Sequence, residues 1–229
     1  MEGSMGLDGV TPFPKELIEE YYRKRFWLGI TLGQMLDRSC DLYHHKEALV
    51  AGKARLTYER LREMTNRAAI AFLELGVLKR DRVLLQIPNW AEFVYAYYGL
   101  HKIGAIPVMC IPRFSQREME HFCEITEATA WIVPRQHEKM DYLPMIEAFK
   151  THPFFLKHIL VIDSSAERGP PLPEGTFSFN DLLEKVDLKR YPKDYLQAFH
   201  PDPGEVCHLM PTYESIHRTH FGKCRMRLN

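Results

Sequence analysis

The chain has 229 residues, which is enough to bury the core of one domain or of one large lobe of a bigger protein. Its 30 basic and 30 acidic residues cancel, which excludes a strong long-range attraction to nucleic acid or to an anionic membrane. No apolar run approaches the roughly 18–20 residues that a membrane-spanning helix needs, so we expect no membrane span.

The cysteines and the first residues give an expectation about the compartment. The five cysteines are scattered and odd in number, which is typical of free thiols in a reducing compartment rather than of a disulfide framework. The first eight residues, MEGSMGLD, have neither the basic nor the apolar region of a secretory signal. We therefore predict a cytoplasmic protein.

Residues 1–30 form an aromatic-rich N-terminal arm, in which residues 16–23 have the amphipathic pattern of a short helix. A further helix is predicted from Thr31 onward. Two short strands follow at residues 48–51 and 54–57, and Gly52-Lys53 joins them at hairpin spacing.

The middle of the chain alternates between helices and apolar strands. Thr57 is a suitable N-cap for a helix that ends at Gly76, Asn89 is the expected cap of the next helix, and Ser115 opens a capping box. The predicted strands are residues 81–87, 106–111, 130–133 and 158–162, and the predicted helices between them are residues 90–103, 116–125 and 142–150. This alternation predicts an α/β fold with a Rossmann-like parallel sheet and helices on both faces.

The last third of the chain has weaker signals. Residues 153–203 are rich in proline, and we expect irregular surface chain around one helix at residues 180–186. Residues 206–212, VCHLMPT, have the composition of a strand.

Three stretches carry a resemblance to a known family. They are LTYERL at residues 56–61, GVLKRDRVLLQIPNWAEF at residues 76–93 and LHKIGAIPV at residues 100–108. Their order and spacing resemble the N-terminal part of the adenylate-forming (AMP-dependent) synthetase/ligase superfamily. Each block alone is weakly specific, and the likeness covers roughly residues 10 to 212.

Two further blocks narrow the resemblance within that superfamily. TPFPKEL at residues 11–17, followed by YRK and WLG, and PRFSQREMEHFCEITEA at residues 112–128 are similar to aryl-acid ligases such as 2,3-dihydroxybenzoate–AMP ligases. The resemblance implies an acid–thiol or AMP ligase. Intact family members use ATP and Mg²⁺ to convert a carboxylic acid into an acyl-adenylate, with coenzyme A or a carrier-protein thiol as acceptor.

The chain departs from the family pattern after Thr212. The family has a Gly/Ser/Thr-rich loop there, whose backbone N–H groups hold the ATP phosphates. Here residues 213–222 read YESIHRTHFG and contain a single glycine, although HRTH at residues 217–220 resembles the segment that follows the loop in aryl-acid ligases. By this resemblance Thr212 borders the missing loop, which makes it a weak cofactor-binding candidate.

The resemblance therefore predicts three regions: the arm at residues 1–30, a truncated ligase N-terminal domain at residues 31–212 and a divergent, disordered tail at residues 213–229. Without the loop and the family's C-terminal catalytic lysine, we expect this chain alone to be inactive and to bind no cofactor. Two alternatives stay open. Either the chain is a non-catalytic module that associates with a homologous ligase, or it is a gene product without function.

Other sites are disfavoured by their patterns. Cys207, His217, His220 and Cys224 match no standard zinc-finger spacing, so no metal site is predicted. The aromatic residues of the helix that follows Asn89 are interpreted as core packing rather than as a stacking surface. Cys110 and Cys123 lack the surroundings of a nucleophile. The sequence has neither the Gly-x-Gly-x-x-Gly motif of dinucleotide binding nor the Gly-x-Ser-x-Gly motif of hydrolases.

Overall fold

A computed structural model describes residues 13–52, 54–151, 155–163 and 171–211. The described helices are α1 (Lys15–Arg23), α2 (Leu32–Tyr43), α3 (Tyr58–Glu74), α4 (Ala91–Lys102), α5 (Gln116–Thr126), α6 (Leu143–Lys150) and α7 (Phe179–Lys185). The described strands are β1 (Glu47–Ala51), β2 (Ala54–Thr57), β3 (Arg82–Leu85), β4 (Ile106–Met109), β5 (Ala130–Pro134), β6 (Gln136–His137), β7 (Met140–Asp141), β8 (His158–Ile162) and β9 (Phe177–Ser178).

The main sheet has five strands in the order β4-β3-β5-β8-β9, and every neighbouring pair is parallel. β1 and β2 form a separate antiparallel hairpin, as expected from their spacing. A second hairpin, β6 with β7, has two residues in each strand and is too short for a sequence pattern to reveal. The predicted α/β class is confirmed.

Helices cover both faces of this sheet. Alternate strand residues point to opposite faces, so Val83 and Leu85 join one apolar cluster while Leu84 between them joins the other. The first cluster contains buried side chains of α2, α3, α4 and α7, and the second contains those of α5 and α6. The apolar runs of the strands are explained by burial on both faces.

Most predicted helix ends agree with the structure. The Thr57 side chain accepts a hydrogen bond from the Arg60 backbone N–H at the start of α3, and Gly76 adopts a positive φ of 81° just after it. The prediction for Asn89 is wrong, because Trp90 is the N-cap of α4 and has no side-chain capping bond. The side chain of Asn89 is suited to capping, but Asn89 lies one position before the N-cap of α4, so its side chain does not cap the helix.

Two predictions for the last third also need correction. Residues 206–212 were expected to form a strand, but the described part pairs with the sheet only through a single bridge between Val108 and Leu209. Besides α7, the proline-rich region contains β9 and two short 3-10 helices, Leu188–Arg190 and Tyr195–Phe199. β9 has two residues. It is a strand because it pairs with β8, and two residues are too few to form a strand pattern in the sequence.

The described part of the N-terminal arm packs mainly around one indole ring. Trp27 contacts the rings of Phe13, Tyr21 and Tyr22 in edge-to-face geometry, with centroid distances of 5.2, 5.2 and 5.7 Å. α1 itself has no buried residue. The boundaries at residues 30 and 212 and the disordered tail stay predictions, and residues 213–229 lie outside the described residues.

No helix within the described ranges is both long and apolar enough to cross a lipid bilayer.

Candidate functional site

The sheet order places a crevice at the carboxyl ends of β3 and β5. After β3 the chain crosses to β4 on one side, and it then returns past β3 to form β5 on the other side. In open parallel sheets, ligands bind outside the carboxyl ends of the strands at such a reversal of strand order. A ligand site is therefore expected among the loops that follow β3, β4 and β5.

The chain that follows β4 and β5 surrounds an open depression of about 520 Å³. Its lining combines apolar and charged side chains and consists of Ile111, Pro112, Arg113, His137, Glu138, Lys139, Met140 and Tyr142. Residues 111–113 follow β4, and the others belong to the β6–β7 hairpin and its surroundings after β5. The lining thus comes from the two strands that flank β3.

Two buried side chains fix the wall that follows β4. The amide nitrogen of Gln86, whose side chain is fully buried, donates to the backbone carbonyls of Pro112 and Phe114 at 3.1 and 3.0 Å. The Tyr142 hydroxyl donates to the same Pro112 carbonyl at 3.0 Å. Because Gln86 directly follows β3 and Tyr142 precedes α6, this wall is held from two separate parts of the fold.

The charges around the depression are weakly paired and exposed. Arg113 lies 3.7 Å from Glu138, and His137 lies 3.9 Å from another oxygen of the same carboxylate. Exposed pairs at such distances contribute at most about 1 kcal/mol. The depression can accommodate a polar or anionic group in contact with solvent. Its buried titratable group, the Tyr142 hydroxyl, donates to the Pro112 carbonyl, and burial raises its pKa, so it is poorly suited to proton transfer near neutral pH.

The segment that leads to Thr212 runs beside β4 toward the same edge. The Met109 backbone N–H donates to the Leu209 carbonyl at 2.8 Å, and the Leu209 N–H donates to the Pro107 carbonyl at 2.9 Å. The bridge is parallel, so the segment points toward the carboxyl ends of the strands. Thr212 itself lies outside the described residues, and its role at the entry of a phosphate loop stays a prediction.

A cluster of imidazole rings that the sequence reasoning missed lies where this segment meets α4. The Tyr97 hydroxyl lies 3.0 Å from Nδ1 of His208, and the Tyr97 ring contacts the His101 ring at 4.3 Å between centroids. Burial lowers the pKa of both histidines, in the case of His101 to about 3. The signal in the sequence was a histidine inside an otherwise apolar run, at residue 208, and another on the helix that follows Asn89.

The structure also places the other residues that were considered as candidates from the sequence. The aromatic residues of α4 pack against the main apolar cluster, as interpreted from their spacing. Burial raises the pKa of Cys110 and raises that of Cys123 to about 12, so both thiols stay protonated near neutral pH. Of the four residues weighed as zinc ligands only Cys207 belongs to the described ranges, within which no group of three potential ligands converges.

A model of the AMP-binding enzyme family matches residues 36–212. The chain belongs to this family. The match covers the whole sheet and ends at the residue where the family's phosphate loop is expected, so the resemblance found from the three sequence blocks is confirmed.

Several curated relatives are aryl-acid ligases. The chain is 34% identical over 164 residues to the 2,3-dihydroxybenzoate-AMP ligase of Bacillus subtilis, an alignment that covers 72% of this chain and 30% of that protein. It is 36% identical to the salicyl-AMP ligase / salicyl-S-ArCP synthetase of Mycobacterium tuberculosis, over 68% of this chain and 28% of that protein. The chain thus spans about 30% of the length of these relatives.

Solved structures support the same family. The apo structure of Mycobacterium smegmatis MbtA matches with a TM-score of 0.74 and 30% identity, over 91% of this chain and 36% of that one. The anthranilate CoA ligase AuaEII, solved with anthranoyl-AMP, matches with a TM-score of 0.60 and 28% identity, over 69% of this chain and 28% of that one. The parallel sheet with its covering helices is therefore a part of the adenylate-forming ligase fold.

Proposed function

We propose that these residues form the N-terminal part of an aryl-acid ligase and that they do not catalyse adenylation by themselves. The observation that supports the ligase assignment most is the family match over residues 36–212 together with aryl-acid ligases among the relatives. The acid is proposed from the printed activities of those relatives.

In the proposed reaction of the whole protein, a carboxylate oxygen of the acid attacks the α-phosphorus of ATP and pyrophosphate leaves. A thiol of coenzyme A or of a carrier protein then attacks the carbonyl carbon of the acyl-adenylate, and AMP leaves. Mg²⁺ would neutralise charge on the phosphates. These steps are proposals for the whole protein, since the chain spans about 30% of its relatives.

The proposed inactivity of the chain alone follows from the residues after position 212. A triphosphate is stabilised by several backbone N–H groups that converge in a glycine-rich loop, and these preorganised donors are usually the largest contribution to catalysis. Residues 213–222 contain one glycine, Gly222, and include bulky residues at most other positions. Such a sequence is poorly suited to the close approach of backbone and phosphate.

A pyrophosphate-exchange assay tests this proposal. The purified chain is incubated with ATP, Mg²⁺, labelled pyrophosphate and either 2,3-dihydroxybenzoate or salicylate. We expect no acid-dependent exchange above background, whereas the Bacillus subtilis 2,3-dihydroxybenzoate-AMP ligase in parallel reactions serves as the positive control. Exchange that requires both ATP and the acid would overturn the proposed inactivity while leaving the family assignment intact.

A further inference from the structure

Two histidines are buried where residues 206–211 contact α4. The side chains of His101 and His208 are each 3% exposed, and their ring centroids lie 6.3 Å apart. The Tyr97 ring lies between the two elements, 4.3 Å from the His101 ring and 5.9 Å from the His208 ring. The three rings therefore form the contact between α4 and this segment.

The backbone of residues 206–211 forms few hydrogen bonds with the sheet. Its pairing with β4 consists of the two hydrogen bonds of Leu209, whereas the β5–β8 pair extends over five residues. At the start of the segment, Glu205 forms ion pairs with Lys79 and Arg80 at 3.1 and 3.3 Å. Leu209 is buried in the apolar cluster of α5 and α6, while His208 packs toward α4, so these two neighbours hold the segment from opposite faces.

The buried surroundings of the two histidines favour neutral rings. Burial raises the pKa of Tyr97, so its hydroxyl keeps its proton and can donate it to Nδ1 of His208. The Cys207 sulfur lies 3.8 Å from the same nitrogen, and burial raises the pKa of that thiol as well. Neither Nε2 atom of the two histidines has a hydrogen-bond partner among the described residues.

No carboxylate of the described ranges acts on either ring. The groups that face His208 are Tyr97 and His101 from α4 and Cys207 from its own segment. His101 is affected by burial first and by His208 second, and both lower its pKa. The C-terminal end of α4 would favour a charged His101, but burial outweighs this effect. The nearby cation Lys102 is directed to Asp37 on α2 instead.

We propose that His101 and His208 form an acid-sensitive latch, which holds residues 206–211 against β4 at neutral pH and releases them when the rings become protonated. Two buried imidazolium ions side by side would repel each other and would lack a counter-ion. Release exposes both rings to water, where the charged forms are stable. Because residues 206–211 run parallel to β4, release would detach this segment at the carboxyl edge of the sheet.

The direction of the pH dependence follows from the two states. An exposed histidine has a pKa of about 6.5, and in the latched state the pKa is lower, so the released state binds protons more readily. The stability of the latch is therefore complete above about pH 6.5 and decreases as the pH falls toward the latched-state pKa. Between pH 7.5 and 5.5 the ratio of released to latched molecules should rise roughly tenfold for one histidine and up to about a hundredfold for both.

Hydrogen–deuterium exchange of the full 229-residue chain between pH 7.5 and 5.5 tests the latch. Exchange rates are divided by the intrinsic chemical rates at each pH, which leaves the opening equilibrium of each peptide. We expect the peptide that contains Leu209 to open at least tenfold more at pH 5.5 than at pH 7.5, while a peptide from β5 keeps its protection. Equal pH dependence of both peptides, or none in the Leu209 peptide, would refute the latch.

Variants assign the effect to the two rings. Replacement of both histidines by phenylalanine (His101→Phe with His208→Phe) keeps ring-shaped side chains, and we expect the pH dependence of the Leu209 peptide to disappear. His158→Phe is the matched control, because burial also lowers the pKa of His158 but this residue lies on β8, away from the segment. The control should keep the wild-type pH dependence. Persistence of the dependence in the double variant would contradict the proposal.

A third variant covers the case in which the double variant does not fold, as judged by near-ultraviolet circular dichroism and β5 protection. Tyr97→Phe removes the hydrogen bond to His208 but leaves both titrating rings in place. We expect more opening of the Leu209 peptide at pH 7.5 and a retained increase toward pH 5.5. Loss of that increase would show that the histidines are not the titrating groups. The outcome does not depend on any ligase activity.

Discussion

At the scale of single residues, the most unusual side chain of the lobe is a buried lysine. Lys102, at the end of α4, is 1% exposed and forms an ion pair with Asp37 of α2, whose side chain is 33% exposed. Burial lowers the pKa of Lys102, and the Asp37 carboxylate opposes this shift. The carboxylate thus favours the charged form of the buried ammonium group, and Arg62 of α3 lies 3.9 Å from the same carboxylate.

Removal of the carboxylate should be more costly than removal of the ammonium group. Asp37→Asn leaves the buried charge of Lys102 without its counter-ion, and we expect a loss of about 3 kcal/mol, the lower end of the range for a broken buried pair because Asp37 is partly exposed. Lys102→Met leaves Asp37 in contact with water and Arg62, and we expect a loss of about 1 kcal/mol. Equilibrium urea denaturation at pH 7.5 measures both changes.

Asp41→Asn is the matched control for this comparison, because Asp41 pairs with Arg62 but its side chain is 69% exposed. Such a surface pair should contribute less than about 1 kcal/mol. If Asp37→Asn were no more destabilising than Asp41→Asn, the buried ion pair between Lys102 and Asp37 would contribute no more to stability than the surface pair does.

At the scale of elements, a close approach of two helices organises one face of the sheet. Gly99 of α4 faces α3, and a Cβ atom at this position would lie 2.8 Å from the Cβ of Ala68 and 3.0 Å from the Ala69 nitrogen. The absence of a side chain at residue 99 therefore lets the two helices pack in direct backbone contact. Any larger residue has to push α4 away from α3 or distort one of them.

Gly99→Ala should destabilise the protein although alanine is the better helix former. The intrinsic gain of about 1 kcal/mol is outweighed by an overpacking cost of about 1–3 kcal/mol, so we expect a net loss of about 1 kcal/mol in urea denaturation. A double-mutant cycle with Ala68→Gly identifies the cause, since the substitution at residue 99 should cost less when the facing methyl group is absent. Purely additive effects would exclude this contact as the origin.

The elements that the sequence predicted are those with local signals. Thr57 and Gly76 define α3 through capping and a positive φ, and the apolar strands of the sheet need only their own composition. The segment at residues 206–212 has a similar composition, but a strand also requires a partner along its length, and among its described residues, 206–211, only Leu209 has one. Capping and composition are local properties, whereas pairing is decided by the rest of the fold.

The candidate site was less accessible to sequence reasoning for the same reason. The depression forms from loops that follow two different strands, and its wall depends on Gln86 reaching backbone carbonyls 26 and 28 residues away. In the proposed latch, His208 contacts Tyr97, which lies 111 positions earlier in the chain. A single sequence contains no spacing rule that brings such residues together.

At the scale of the whole molecule, the chain is one parallel-sheet lobe with the sequence and fold of AMP-binding enzymes. The lobe provides the sheet and its covering helices, and loops at its carboxyl edge surround an open depression lined by apolar and charged side chains. Within the described ranges no group of three potential metal ligands converges, and residues 213–222 contain a single glycine, unlike a glycine-rich phosphate loop. The chain therefore belongs to the family, but we propose that it does not bind the nucleotide.

Isothermal titration of the purified 229-residue chain with ATP in the presence and absence of Mg²⁺ tests this proposal most directly. We expect no saturable heat of binding in either titration, because residues 213–222 contain a single glycine and do not match a glycine-rich phosphate loop. Stoichiometric, magnesium-dependent binding of ATP to the folded chain would contradict it.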